Sequence, residues 1–342
     1  MNVADFVIGY EEFKVRYLEA ANNIKSATRF WNTYNHDPQS LLINRQYLLL
    51  RDRLFSLLTA CKRIDADVFA KIHKGHPFYF IGISSYLLDD YQTAIYFLDA
   101  AVTEDINSGA DPIDRPSPST RFLMLEGEAE DQAAKEITQI AQAKVERALT
   151  HYNDKIAKNS NDSQLTLVDL RSDFICYALR ATEEPGLRTL ITAFITYCTE
   201  WDFRKDHYEY GVGKGTSEPF LLHLFRGCIL LESLLRHNPT ISPQKNMLGN
   251  LLKEPQIKDA LKIKDVKGGE FDLNDLFDKL QTFDYSIYEA IQISYMARNT
   301  LGHSLGWNTY ISQSQYEELY LILASSCLHV LACLWISPPF QE

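Results

Sequence analysis

The sequence predicts an all-α protein: a front half of helical hairpins joined to a C-terminal helical bundle. Three observations predict it. Apolar residues recur at helical spacing along most of the 342-residue chain. No strand-like alternation of useful length occurs. An uncharged apolar run, Leu319 to Ile336, stands near the C-terminal end as a natural inner helix.

Length and composition agree with this. A chain of 342 residues corresponds to two or three domains, each able to bury its own core. It is 46% hydrophobic and 23% charged, as ordinary globular proteins are. The formal net charge of −11 argues against broad, non-specific coating of nucleic acid, but leaves room for a small local basic site. None of the six cysteines, Cys61, Cys176, Cys198, Cys228, Cys327 and Cys333, forms a CxxC pair, and most lie in apolar runs, which predicts buried free thiols in a reducing cytoplasm. The segment MNVADFVIGYEEF lacks the basic start of a secretory signal.

From about 8 to 73 the chain reads as helical, with Tyr47, Leu48, Leu50, Leu54, Leu57, Leu58 and Cys61 on one apolar face. The segment 76–104 places Phe78, Gly82, Tyr91, Ala94, Leu98 and Ala101 so that two antiparallel helices can approach closely at small residues, with Asp89-Asp90 as the turn. This pattern resembles one tetratricopeptide repeat; a plain helical hairpin is the simpler alternative. Residues 105–120, with Pro112, Pro116 and Pro118, form a loop. Helices follow over about 123–158 and 166–182. Asn159 to Ser163 separates these two, and after Pro185-Gly186 another helix runs to about 205.

Composition shifts at 206–219, so the expected domains are 1–205 and 206–342. The run Gly211 to Thr216 is not a phosphate loop, because Gly215 rather than Ser or Thr follows Lys214 and no strand precedes it. It reads as a linker. A long helix at 218–237, a Lys-rich stretch of short helices and loops at 238–270, a helix near 272–282 and two last helices, 284–303 and 313–336, complete the order. The uncharged run at 319–336 is at the short edge of a membrane span, but no Lys or Arg flanks it and it holds Ser325, Ser326 and His329. It is expected to be the buried closing helix of a bundle in a cytoplasmic protein, with a tail anchor as the alternative.

The chemistry concentrates in Arg298-Asn299-Thr300-Leu301-Gly302-His303. Ile287, Ile291 and Tyr295 are expected to be buried on the same helix. Asn299 and His303, four apart, share a face, while Arg298 and His303, five apart, are separated by roughly 140° on an ideal helix. Glu232 lies mid-helix in the apolar run LLESLLR. Its carboxylate either faces the motif and pairs with Arg298 or His303, or lies on a solvated face beside Arg226 and Arg236. His223, His237 and His329 lack the spacing and carboxylate partners of a metal site, so neither a metal nor a cofactor is expected.

An Arg, four intervening residues and a His, with Asn directly after the Arg, resembles the signature of the HEPN family. The resemblance covers roughly residues 206–342 and is strongest at 295–303. It implies a bundle of four or five helices that cleaves RNA without metal through attack of a ribose 2′-hydroxyl. His303 would then be the general acid or base and Arg298 the phosphate clamp, with Asn299 orienting the phosphate or the imidazole. It further implies a homodimer pairing two motifs, an RNA substrate, and a toxin or antiviral defence role in which the N-terminal helices bind a protein partner. The alternative is a non-catalytic all-helical RNA-binding or protein-interaction adaptor.

Overall fold

A computed structural model describes residues 9–35, 37–127, 132–157, 164–211, 217–238, 247–267, 285–303 and 311–336, without the side chains of 209–211 and 303. The chain is all-α, with no strand among the described residues. It divides into two compact units, Met1–Ile140 and Ala141–Glu342. The division falls within one helix, Gln132–Tyr152.

The first unit begins with α1 (Tyr10–Ala20), α2 (Ile24–Tyr34), α3 (Pro38–Ile43), α4 (Tyr47–Ile64) and α5 (Ala66–Lys71). The stretch expected to be helical over 8–73 is made of five helices. Polar side chains set the cuts by capping the next helix: Asn23, Asp37 and Asp65 accept from the backbone amides of Ser26, Ser40 and Val68. In α4, Leu50, Leu54, Leu57, Leu58 and Cys61 are buried as expected, but Leu48 is 53% exposed. Tyr17, Phe30 and Trp31 close the core over these helices, and the indole of Trp31 donates to the His73 carbonyl at 2.7 Å.

Helices α6 (Gly75–Tyr86) and α7 (Tyr91–Asn107) form an antiparallel hairpin. Asp89 takes the left-handed conformation (φ 60°) and Asp90 caps α7 at the Thr93 amide. A Cβ on Gly82 would fall 2.6 Å from Leu98 and 3.2 Å from the Ala94 carbonyl, so glycine permits this approach. A short α8 (Pro118–Leu123) and α9 (Gln132–Tyr152) follow, and residues 124–127, expected to be helical, are not. In between, Leu125 takes positive φ.

In the second unit α10 (Leu167–Asp169) runs through a π-helical turn, Leu170–Ile175, into α11 (Cys176–Arg180). Pro185 opens α12 (Pro185–Gly211) rather than breaking it, since proline at a first helical position costs no hydrogen bond. The composition shift expected at 206–219 therefore begins inside a helix. Residues 212–216, 159–163 and the helix expected at 272–282 lie outside the described residues. α13 (Glu218–Arg236), the short α14 (Leu248–Leu251) and α15 (Pro255–Leu261), α16 (Ile287–His303) and α17 (Gln313–Val330) follow. The helix of α17 continues as a π-helical turn to Ile336.

α17 is the axis of this unit. A Ser312–Gln315 capping box starts it, and every residue from Ile322 to Leu331 is buried. By length and composition it could cross a membrane, yet 78% of its most apolar window is buried. α13 runs parallel to it: Tyr316 donates to His223 Nδ1 at 2.7 Å, Cys327 lies by the Gly227 carbonyl, and the Trp335 indole donates to the Leu234 carbonyl at 3.1 Å. α16 joins through Ser294 and Ser326, 2.9 Å apart. His329 is held between the Tyr152 hydroxyl and the Leu261 carbonyl, at 3.2 and 3.1 Å. Four cysteines, Cys61, Cys198, Cys228 and Cys327, are buried thiols, and none of the six forms a disulfide.

His223 is wholly buried, and burial pushes its pKa down to about 3. With Nδ1 accepting from Tyr316, Nε2–H donates to the Tyr197 carbonyl at 3.0 Å. The unfolded chain binds a proton near pH 6.5, which the folded chain refuses. Stability should accordingly be full above that pH and fall as pH drops from about 6.5 to about 3. In urea melts across that window, His223→Gln should flatten the slope. An unchanged slope would show that His223 is not its source. Tyr316→Phe, which strips the imidazole of its donor, should cost about 1–3 kcal/mol at pH 7.

Candidate functional site

The candidate site lies where α13 and α16 cross antiparallel, near the end of α16. Glu232 faces Arg298, and, one turn or more along, Phe225 faces Gly302. α16 buries Ala290, Ile291, Ile293, Met296, Ala297 and Leu301. That face holds the helix down and leaves Tyr295, Arg298 and Asn299 along its half-open edge. Ile287 and Ile291 are buried as expected; Tyr295 is not, because its ring covers Gly249, where any side chain would collide with it.

Glu232 joins two arginines. Arg298 Nε donates to Glu232 Oε2 at 3.1 Å, and Arg236 Nη2 donates to Oε1 at 2.7 Å. The Glu232 and Arg298 side chains keep only 12% and 24% of their exposure, so water screens the pair poorly. Of the two positions open to Glu232 in the sequence, the structure takes the one facing the motif, and it adds Arg236 as a second partner. Arg226 goes elsewhere, onto the buried carboxylate of Glu200 at 3.0 Å, which Arg204 also binds at 2.8 Å.

Arg298 and Asn299 line a cleft of about 70 Å³ with Tyr295 and the turn Met247–Asn250. That is room for about two waters, or for the oxygens of one phosphate presented from outside. Among the described residues, Nη1 and Nη2 of Arg298 have no hydrogen-bond partner, so the outer edge of the guanidinium can take an anion. Buried next to it, the Cys228 thiol is pushed well above the usual range by desolvation, which the Arg298 charge partly offsets; it is no nucleophile.

His303 is the last described residue of α16, and its side chain is not described. Arg298, Asn299 and Glu232 are brought together; the fold adds Tyr295, Asn250 and Arg236, which the motif alone does not single out. Tyr295 carries a signal in the sequence, being three and four residues before Arg298 and Asn299 and so on their face. Asn250 carries no such signal, since it arrives from another segment. Among the described residues no group of three or more His, Cys, Asp or Glu side chains could hold a metal ion.

Removing the Glu232 carboxylate leaves two arginines facing each other in poorly screened surroundings. Glu232→Ala is expected to cost about 1–3 kcal/mol in urea denaturation. A double-mutant cycle with Arg298→Ala should give a coupling of about 1 kcal/mol, reduced by the exposed quarter of the arginine. Strict additivity would mean that the two groups do not interact in solution.

No family model, curated protein or solved structure matches this chain. What it does is therefore to be read from its own side chains.

Proposed function

We propose that this chain is a metal-independent endoribonuclease of the HEPN type. The observation that carries the reading is Arg298, anchored through Nε by Glu232, with its outer edge on a small cleft and His303 five residues on in the same helix. In the reaction a ribose 2′-oxygen bonds to the neighbouring phosphorus and the bond from phosphorus to the 5′-oxygen breaks. The products are a 2′,3′-cyclic phosphate and a 5′-hydroxyl. His303 would take the proton from the 2′-hydroxyl or give one to the leaving oxygen, a task suited to an imidazole near neutral pH. Arg298 would neutralise the charge that builds on the phosphorane oxygens, and Asn299 would orient them.

A second copy of the chain would complete the site by bringing a second motif to the same RNA. Leu222 and Ile229, 40% and 48% exposed, offer an apolar strip on α13 beside the half-buried Phe225. The N-terminal helices would dock a protein partner, which fits a toxin or an antiviral defence effector in the cytoplasm.

The test is incubation of the pure protein with mixed RNA in EDTA and analysis of the new ends. Cyclic phosphates are expected, lost by at least about a hundredfold in His303→Ala and Arg298→Ala. Cleavage that survives both changes would sink the assignment. Ile229→Arg should convert a dimer to a monomer in sedimentation and lower the activity with it; a monomeric active wild type would remove the dimer from the proposal.

One observation favours a second reading. The Glu232–Arg298 pair also ties α13 to α16, as it would in a non-cleaving RNA-binding or protein-interaction adaptor. Such a protein would leave RNA whole in the same assay while retaining it on a filter.

A further inference from the structure

Gly302 is an exposed residue inside α16, where glycine is a poor helix former. Helices often end on a glycine because it alone takes positive φ comfortably. That is not its use here: among the described residues the glycines with positive φ are Gly9 and Gly109. Space is the remaining reason. A Cβ on Gly302 would lie 3.2 Å from Arg298 Nη1 and 3.5 Å from the Phe225 ring.

Residues four apart share a helix face, and a Cβ at 302 would lean toward the N-terminus, over Arg298. Arg298 Nη1 already lies 3.2 Å from that point, so the guanidinium occupies the space a side chain at 302 would enter. Glu232, on the crossing helix, holds Nε at 3.1 Å. The carboxylate fixes one side of the guanidinium, and the missing side chain leaves room for the other.

We infer that Glu232 and Gly302 are a pair of positioning residues that aim the Arg298 guanidinium at the scissile phosphate. Neither touches RNA. The inference rests on the ribonuclease reading of the site and specifies what sets its geometry. Alanine at 302 pushes Nη1 aside while favouring the helix. Gln at 232 keeps the shape of the partner and removes its charge.

The experiment compares wild type, Gly302→Ala, Glu232→Gln, Arg298→Ala and Gly186→Ala as full chains. Gly186 is a matched control, a glycine near the start of α12 where an added Cβ would meet nothing within 4 Å. Three quantities are measured: kcat and KM for RNA in EDTA, Tm, and the salt dependence of affinity for an uncleavable 2′-deoxy oligonucleotide. Alanine at 302 moves Nη1 by a few tenths of an ångström, and about 1 Å of misplacement costs up to about a hundredfold, so for Gly302→Ala and Glu232→Gln kcat should fall about threefold or more with KM nearly unchanged. The salt slope should drop by about one phosphate contact in both, as in Arg298→Ala. Gly302→Ala should keep or raise Tm, and Gly186→Ala should cut at the wild-type rate. Gly302→Ala with wild-type kcat and salt slope, or with a loss matched by a lower Tm, would overturn the inference and leave the nuclease standing. A wild type that does not cut, but loses slope in all three site variants, overturns the nuclease and supports the positioning pair. A wild type that neither cuts nor binds overturns both.

Discussion

The second unit depends on burying the helix Gln313–Ile336 with partners for its polar side chains, the Ser325 hydroxyl being an exception. A hydroxyl or imidazole sealed in an apolar core costs about 1–3 kcal/mol when unpaired. Tyr316, Ser326 and His329 are each met by a partner from a different helix: His223, Ser294 and Tyr152. These bonds do more than offset desolvation. Apolar packing alone tolerates sliding and rotation, whereas a hydrogen bond at a named position fixes both. The helix is thus a gauge against which its neighbours are set.

The candidate site inherits that setting. His223 and Gly227 lock α13 beside the central helix, and Ser294 locks α16. Once both are in register, Glu232 and Arg298 meet at 3.1 Å, and Phe225 meets Gly302. The Arg298 guanidinium is consequently placed by contacts made on the far side of two helices. Its charge is local. In a chain of net charge −11, two arginines share one carboxylate at this spot, which leaves a small positive centre in an otherwise acidic molecule.

Much of the helical order was legible because it depends on period and punctuation. The hairpin at Gly75–Asn107 follows from its small residues and the Asp89-Asp90 turn, and the helices Glu218–Arg236 and Gln313–Ile336 fall within a residue or so of the expected 218–237 and 313–336. Boundaries were less legible. Pro185 starts a helix where it could equally have ended one, and Asn23, Asp37 and Asp65 cut a stretch whose apolar pattern runs on. Proline and capping residues act on the backbone at either side of a break, so their meaning depends on which neighbour packs.

The sequence by itself determined the all-α class, the apolar character of the closing helix, and that Arg298 and Asn299 lie side by side on one helix with His303 at its end. These are consequences of covalent order and helical period. Only the tertiary structure decided that Glu232 faces Arg298 rather than solvent, that Arg226 is drawn away to Glu200, and that Gly302 is a space for a guanidinium. The reason is physical. Spacing along one helix fixes which residues share its face, but the partner of that face comes from segments some 66 residues away, and which of them arrives is chosen by the packing of the core.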